Sequence, residues 1–146
     1  MVIDGFGRIG GLVLKTAIEK GAIVIAENYP VIPNTYMVYM FKYDSVNGKI
    51  KNEVCENEQS LYLNENKITV FNGRDPANID WSSAGAEYVV ESTNIVTLTD
   101  TAFAHTKERA ENVTISAPSA VTPMFVMGIN HLMPRLKSSF QKLLLN

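Results

Sequence analysis

The most constraining feature of this sequence is a glycine pattern near its start, Gly5-x-Gly7-x-x-Gly10. A short apolar run at residues 2–3 precedes it. Residues 9–20 follow it, and their apolar side chains recur every three or four positions, as in an amphipathic helix. The continuous apolar run 22–26 then predicts a strand buried on both faces. The first 30 residues therefore predict a strand, a glycine turn, a helix and a second strand, which is a βαβ unit.

Each glycine of this pattern has a defined role in a dinucleotide-binding fold. Gly5 makes the tight turn out of the strand, Gly7 lets the backbone approach a pyrophosphate, and Gly10 lets the helix pack closely on the sheet. The helix that begins here directs its free N–H groups and the positive end of its dipole toward the phosphates. The loop is therefore predicted to bind a dinucleotide.

The same fold uses an acidic residue about 20 positions further on, which accepts hydrogen bonds from the ribose hydroxyls. Glu27 is the carboxylate that lies near the end of the predicted second strand. Two interpretations of Glu27 stay open, a contact to the ribose or a solvated charge at the end of a strand.

The rest of the chain alternates between patterns typical of strands and of helices. Helices are predicted at 34–43, from Asp75-Pro76 up to Trp81, and at 99–109. Strands are predicted at 60–63, 67–71, 87–91 and 112–116, the first two forming a hairpin around residues 64–66. This alternation predicts an α/β fold of the Rossmann type, with a mostly parallel sheet and a β-hairpin excursion.

Composition limits the function further. The 146 residues suit one domain, and 13 basic against 15 acidic residues give no electrostatic reason to expect a nucleic acid or an anionic membrane as the main partner. The single cysteine, Cys55, excludes an internal disulfide and any metal site built from several cysteines. The start of the chain lacks the pattern of a secretory signal, so a cytoplasmic location is expected.

Several runs of this sequence resemble phosphorylating glyceraldehyde-3-phosphate dehydrogenase, the glycolytic NAD enzyme. Residues 4–10, Asp-Gly-Phe-Gly-Arg-Ile-Gly, resemble the NGFGRIG opening of that family. Further matching runs lie at residues 36–41, 43–45, 74–76, 84–93, 115–120 and 123–128. The resemblance covers nearly the whole chain.

The resemblance implies an NAD-binding Rossmann domain followed by a larger catalytic domain, in a homotetramer. It implies that Arg8 and Ile9 offer backbone groups to the pyrophosphate and that Arg74 lies near the adenine, although Arg74 is also open to interpretation as a surface charge. The implied cofactor-binding residues are Gly5, Phe6, Gly7, Arg8, Ile9, Gly10, Asn28, Arg74, Ser92, Thr93, Ser116 and Ala117.

One departure concerns the ribose. The aspartate that holds the ribose in the family falls at or beside Tyr29, and a phenol cannot accept hydrogen bonds from both ribose hydroxyls as a carboxylate does. Glu27 or Asn28 would compensate only through a shift in register. We therefore expect NAD to bind, but more weakly than in the family.

Other departures concern catalysis. Residues 1–146 are expected to be a single NAD-binding domain truncated at both ends, because the chain starts inside the family's first strand and the Ser-Cys-Thr-Thr-Asn-Cys loop and the catalytic domain are missing. Cys55 lies among acidic residues in the hairpin region, whereas activated cysteines lie in positive surroundings. His105 is expected on a helix surface, and His131 matches a position other than the catalytic base. No catalytic residue and no metal site are therefore predicted.

The sequence thus predicts an NAD-binding domain resembling that of an aldehyde-oxidising dehydrogenase, inactive as this chain alone. The alternative is a non-enzymatic interaction module, or the product of a drifted gene copy, that associates with full-length subunits of the family. No membrane partner is expected.

Overall fold

The computed structural model describes residues 1–50, 53–93, 105, 112–117, 124–126, 129–130 and 140–144. These residues include two α-helices, α1 (Arg8–Glu19) and α2 (Asn34–Lys42), and a short 3₁₀ helix at Pro76–Asn78. Their nine strands are β1 (Val2–Asp4), β2 (Ala26–Asn28), β3 (Val54–Asn57), β4 (Ser60–Leu63), β5 (Asn66–Phe71), β6 (Tyr88–Glu91), β7 (Asn112–Ile115), β8 (Met124–Val126) and β9 (Phe140–Leu144).

The strands form one sheet in the order β3-β4-β5-β2-β1-β6-β7-β9-β8. Neighbouring strands from β5 to β8 pair in parallel, while β3, β4 and β5 form an antiparallel meander at one edge. The six strands β5-β2-β1-β6-β7-β9 have the order of a Rossmann sheet, in which the first three strands along the chain extend to one side and the next three are added on the other side of β1. The predicted α/β fold with a β-hairpin excursion is confirmed.

Strand β1 is short but central. All three of its residues are in register with β2 on one side, where Val2 pairs with Ala26, and with β6 on the other, where Val2 pairs with Val89. Just upstream, the Met1 carbonyl accepts a hydrogen bond from the Ile25 N–H at 3.0 Å. Every residue of β1 is thus paired on both sides.

Apolar side chains form a core on each face of the sheet. One core contains Ile3, Leu14 of α1, Met37 of α2 and Val70. The core on the opposite face contains Val2, Val89 and Val113 from the central strands, together with Ile79 and Trp81. Successive residues of β1 enter opposite cores, as the period-2 alternation of a strand requires.

The predicted strand at 22–26 is wrong in position. The observed strand β2 starts at Ala26, and Ile23 is 76% exposed. β2 forms only where it lies beside β1, so the apolar residues before it belong to the connection from α1. The other predicted elements lie within one to three residues of observed ones, apart from the helix at 99–109, most of which lies outside the described residues.

Candidate functional site

A cavity of about 590 Å³ opens at the carboxyl ends of β1, β2 and β6, where the sheet order reverses. Ligands of open α/β sheets bind at such a reversal. The described residues that line the cavity are Asp4, Gly5, Gly7, Arg8, Ile9, Leu12, Asn28, Tyr29, Pro30, Val31, Val46, Asn47, Gly73, Arg74, Pro76, Ser92 and Thr93.

The three glycines of the loop are required for different reasons. Gly5 has a φ of +102°, and a Cβ there would lie 2.9 Å from the Ser92 carbonyl carbon. A Cβ on Gly10 would lie 1.6 Å from the Gly5 carbonyl oxygen, so α1 packs directly on the turn. Gly7 lines the cavity, and a Cβ there would meet nothing within 4 Å. The fold itself needs Gly5 and Gly10, whereas Gly7 leaves space for a ligand against the backbone.

The N-terminus of α1 lies at this space. Gly7 is the residue before the first helical turn, and no side chain of the described residues caps it. No acidic side chain lies in the first turn of α1. The free N–H groups and the positive end of the helix dipole therefore remain available to an anion in the cavity.

The side chain of Asn28 is fully used within the protein. Its Nδ2 donates to Asp4 Oδ1 at 2.7 Å and to the Gly73 carbonyl at 2.9 Å, and its Oδ1 accepts from the Gly73 N–H at 2.8 Å. Asn28 thereby fixes the segment that carries Arg74 beside the end of β2. Its amide groups position the wall of the cavity.

Ser92 joins the end of β6 to the glycine loop, and Thr93 bonds back to the last residue of β6. The Ser92 hydroxyl lies 3.0 Å from the carbonyl oxygens of both Asp4 and Gly5, and its N–H donates to the Asp4 carbonyl at 2.8 Å. The Thr93 N–H donates to Glu91 Oε1 at 2.7 Å, and the Thr93 hydroxyl donates to the same oxygen. These bonds fix the end of β6, which forms one wall of the cavity.

The structure brings together eight of the twelve residues expected to bind a cofactor. Gly5, Gly7, Arg8, Ile9, Asn28, Arg74, Ser92 and Thr93 line the cavity. Phe6, Gly10, Ser116 and Ala117 do not. Phe6 is buried against the rings of Tyr29 and Phe41. Ala117 is buried in a core, and the buried Ser116 hydroxyl has no hydrogen-bond partner in the described part of the chain.

A buried polar cluster lies beneath the cavity, and here the expectation for His105 is wrong. His105 is 0% exposed. Its Nδ1 accepts a hydrogen bond from the Trp81 indole N–H at 3.0 Å, so its proton sits on Nε2, which lies 3.2 Å from Glu91 Oε2 and 3.5 Å from Asp4 Oδ2. A metal ion at Nε2 would displace the proton from that nitrogen to Nδ1. Two donors, Nδ1–H and the indole N–H, would then face each other. The cluster is therefore suited to hydrogen bonding rather than to metal binding.

Both interpretations of Glu27 are wrong as well. Glu27 pairs with Ile3 and Val70 and points with them into the apolar core that holds α1 and α2. It is 0% exposed, and neither carboxyl oxygen has a hydrogen-bond partner among the described residues. Burial raises the pKa of Glu27 well above its usual range, and the charge of Asp4 adds to the shift.

Asp4 is perturbed in the same direction. Burial and the neighbouring Glu91 raise the pKa of Asp4 to about 7, against the opposing effect of the Asn28 amide and His105. Both carboxyls thus hold protons in the folded state at pH values where an unfolded chain has lost them. The contribution of these two groups to stability is then complete below about pH 4, and it falls as pH rises from there toward 7, by about 1.4 kcal/mol per pH unit for each titrating group.

We predict that replacing Glu27 by leucine will stabilise the protein at pH 7 by about 1–3 kcal/mol, because it removes an unsatisfied buried group. Urea unfolding at pH 5, 6, 7 and 8 measures this, and the Glu27→Leu protein should lose less stability with rising pH than the wild type. Glu65→Leu, at an exposed turn, is the matched control and should leave the pH profile unchanged. Wild-type stability that rises between pH 5 and 7 would contradict the prediction.

Comparison with known proteins agrees with this geometry. Residues 1–99 match the family described as glyceraldehyde 3-phosphate dehydrogenase, NAD binding domain. The chain belongs to this family. Its members are NAD-binding domains with a Rossmann fold, and NAD is their cofactor.

Three relatives show how much of such a protein is present. The chain is 59% identical over 128 residues to glyceraldehyde-3-phosphate dehydrogenase 1 of Drosophila melanogaster, covering 88% of this chain and 39% of the relative. It is 54% identical over 130 residues to the glyceraldehyde-3-phosphate dehydrogenase of Danio rerio, covering 88% and 39%. It is 52% identical over 135 residues to glyceraldehyde-3-phosphate dehydrogenase 3.1 of Caenorhabditis briggsae, covering 88% and 40%. The chain thus spans about two fifths of the length of these curated relatives.

Two further observations concern function. Cys55 is exposed on β3, the edge strand of the sheet, and does not line the cavity. Within the described residues, no helix is long and apolar enough to cross a membrane.

Sequence reasoning missed the cluster of Asp4, Glu91, His105 and Trp81. One signal was available, because Asp4 and Glu91 each end a buried parallel strand and carboxyl ends of parallel strands meet at one edge. The position of His105 carried no such signal.

Proposed function

We propose that this chain binds NAD with the pyrophosphate over the glycine loop and the N-terminus of α1, as a cofactor domain of the dehydrogenase type. The observation that carries the proposal is the open space at Gly7, where a Cβ would meet no atom although the residue lines the cavity. A wall without side chains beside uncapped N–H groups fits a pyrophosphate. NAD accepts a hydride when bound, and the residues of this chain hold and orient it.

With the pyrophosphate over the glycine loop, the other residues that line the cavity would contact the two nucleoside halves of NAD. Arg74 and Tyr29, beside the end of β2, would lie along the adenosine half. Ser92 and Thr93, at the end of β6, would lie on the other side of the phosphates. Because Tyr29 has no carboxylate, the hydrogen bonds to the ribose are reduced, and NAD binds more weakly than where an aspartate fills this place.

We predict that Gly7→Val will weaken NAD binding at least about tenfold, since its side chain occupies the space that a pyrophosphate needs. The backbone tolerates this change, because Gly7 has a φ of −76° and no neighbour lies within 4 Å of its Cβ position. The fold should therefore survive, at a cost of about 1 kcal/mol for a poorer N-cap. Isothermal titration calorimetry of NAD measures the affinity, and the thermal transition checks the fold.

Gly11→Ala is the matched control. Gly11 lies in the first turns of α1, has no atom within 4 Å of its Cβ position and does not line the cavity. Its variant should bind NAD like the wild type. Equal NAD affinity of the Gly7→Val protein and the wild type would overturn the proposed position of the pyrophosphate, and a wild type that binds no NAD at millimolar concentration would overturn the function.

A further inference from the structure

The end of β2 lacks the charge that normally selects between two forms of the cofactor. In Rossmann domains, an acidic residue there accepts hydrogen bonds from the 2′-hydroxyl of the adenosine ribose, and a nearby arginine instead accommodates a 2′-phosphate. Here Tyr29 is the first residue after β2 and lines the cavity. Glu27 points into the apolar core on one face of the sheet, and the Asn28 side-chain amide is hydrogen-bonded to Asp4 and Gly73.

An arginine, Arg74, lies near the end of β2. The Tyr29 N–H donates to the Phe71 carbonyl at 3.0 Å, and Asn28 bonds both backbone groups of Gly73. The segment 71–74 therefore runs beside residues 28–29 and brings Arg74 to the same wall of the cavity as Tyr29. Arg74 is exposed and forms no ion pair with any described residue.

The charged side chains that line the cavity are mostly positive. Arg8 and Arg74 line it, and Asp4 is the one acidic residue among its described lining residues. Asp4 is only 1% exposed and hydrogen-bonded to Asn28 below the glycine loop, so it presents little charge to a ligand at the end of β2. An additional phosphate would meet a cation and a neutral phenol rather than a carboxylate.

We propose that this site does not discriminate against a 2′-phosphate and accepts the 2′-phosphorylated dinucleotide, NADP, as well as NAD. Tyr29 is the residue that determines this specificity, and Arg74 is the cation that pairs with the added phosphate. The proposal rests on the proposed function, because it assumes that the adenosine half lies at the end of β2.

Calorimetric titration of the full chain with NAD and with NADP tests the proposal. The wild type should bind NADP with an affinity equal to or higher than that for NAD. Tyr29→Asp should raise the NAD affinity and lower the NADP affinity, changing their ratio at least about a hundredfold, since like charges repel and a carboxylate accepts from both hydroxyls. Arg74→Gln should weaken NADP at least about fivefold more than NAD. Tyr36→Asp, which makes the same change at an exposed tyrosine of α2 that does not line the cavity, is the matched control and should keep the wild-type ratio.

The outcomes separate this proposal from the function on which it rests. Binding of NAD together with measurably weaker binding of NADP overturns the proposal and leaves NAD binding intact. A Tyr29→Asp protein with an unchanged ratio, and with the thermal transition of a folded protein, also overturns it. Binding of neither dinucleotide overturns the proposed function itself.

Discussion

Gly10→Ala is expected to cost at least about 4 kcal/mol of folding free energy, which is exceptional for adding one methyl group. The added Cβ would lie 1.6 Å from the Gly5 carbonyl oxygen and 2.9 Å from the Ser92 hydroxyl oxygen. Backbone cannot yield as the end of a flexible side chain does, so α1 must move away from β1. The N–H groups at the start of α1 then leave the glycine loop, and NAD affinity falls with stability.

The neighbouring glycine gives a matched comparison. Gly11 is also helical, but a Cβ there would meet nothing within 4 Å. Gly11→Ala should stabilise the protein by about 1 kcal/mol, because alanine has the higher helix propensity. Urea unfolding of both variants checks the prediction. Equal stability of the two variants would show that α1 does not pack on the turn at Gly10 as closely as described.

The glycine loop shows what the sequence could predict. Its three glycines, the helix after them and the strands around them were predictable because backbone conformation and close packing limit the residues allowed at each position. A Cβ on Gly5 would clash with the backbone of Ser92, and one on Gly10 would clash with the backbone of Gly5. Only glycine fits at these two positions, so the sequence itself shows where the backbone packs closely. The apolar run at 22–26 predicts strand β2 four residues too early, because hydrophobicity alone does not show where a strand pairs with its neighbour.

The buried titratable side chains show what the sequence could not predict. Sequence patterns assign charged residues to the surface, yet Asp4, Glu27, Glu91 and His105 are all buried. His105 is buried because Trp81, 24 positions earlier in the chain, donates a hydrogen bond to it inside the fold. Such a contact depends on tertiary packing, for which neither periodicity nor spacing carries a signal.

The thiol of this chain lies away from the cavity at the glycine loop. Phosphorylating oxidation of an aldehyde requires a thiolate that forms a covalent intermediate and a base that activates it. The sequence has one cysteine, Cys55, in edge strand β3. Four strand spacings separate β3 from β1, which is roughly 19 Å at the usual distance between neighbouring strands. A hydride acceptor held over the glycine loop is therefore out of reach of Cys55.

We accordingly predict that this 146-residue chain by itself forms no NADH from glyceraldehyde 3-phosphate, phosphate and saturating NAD. Loss of one essential nucleophile costs about six orders of magnitude in rate in a serine protease, so any turnover should lie below detection. Absorbance of NADH is the measurement, with Cys55→Ser as the control for contaminating host enzyme. Turnover that persists through purification in the wild type and disappears in Cys55→Ser would show that Cys55 reaches the cofactor, and the placement of the cavity relative to β3 would then be wrong.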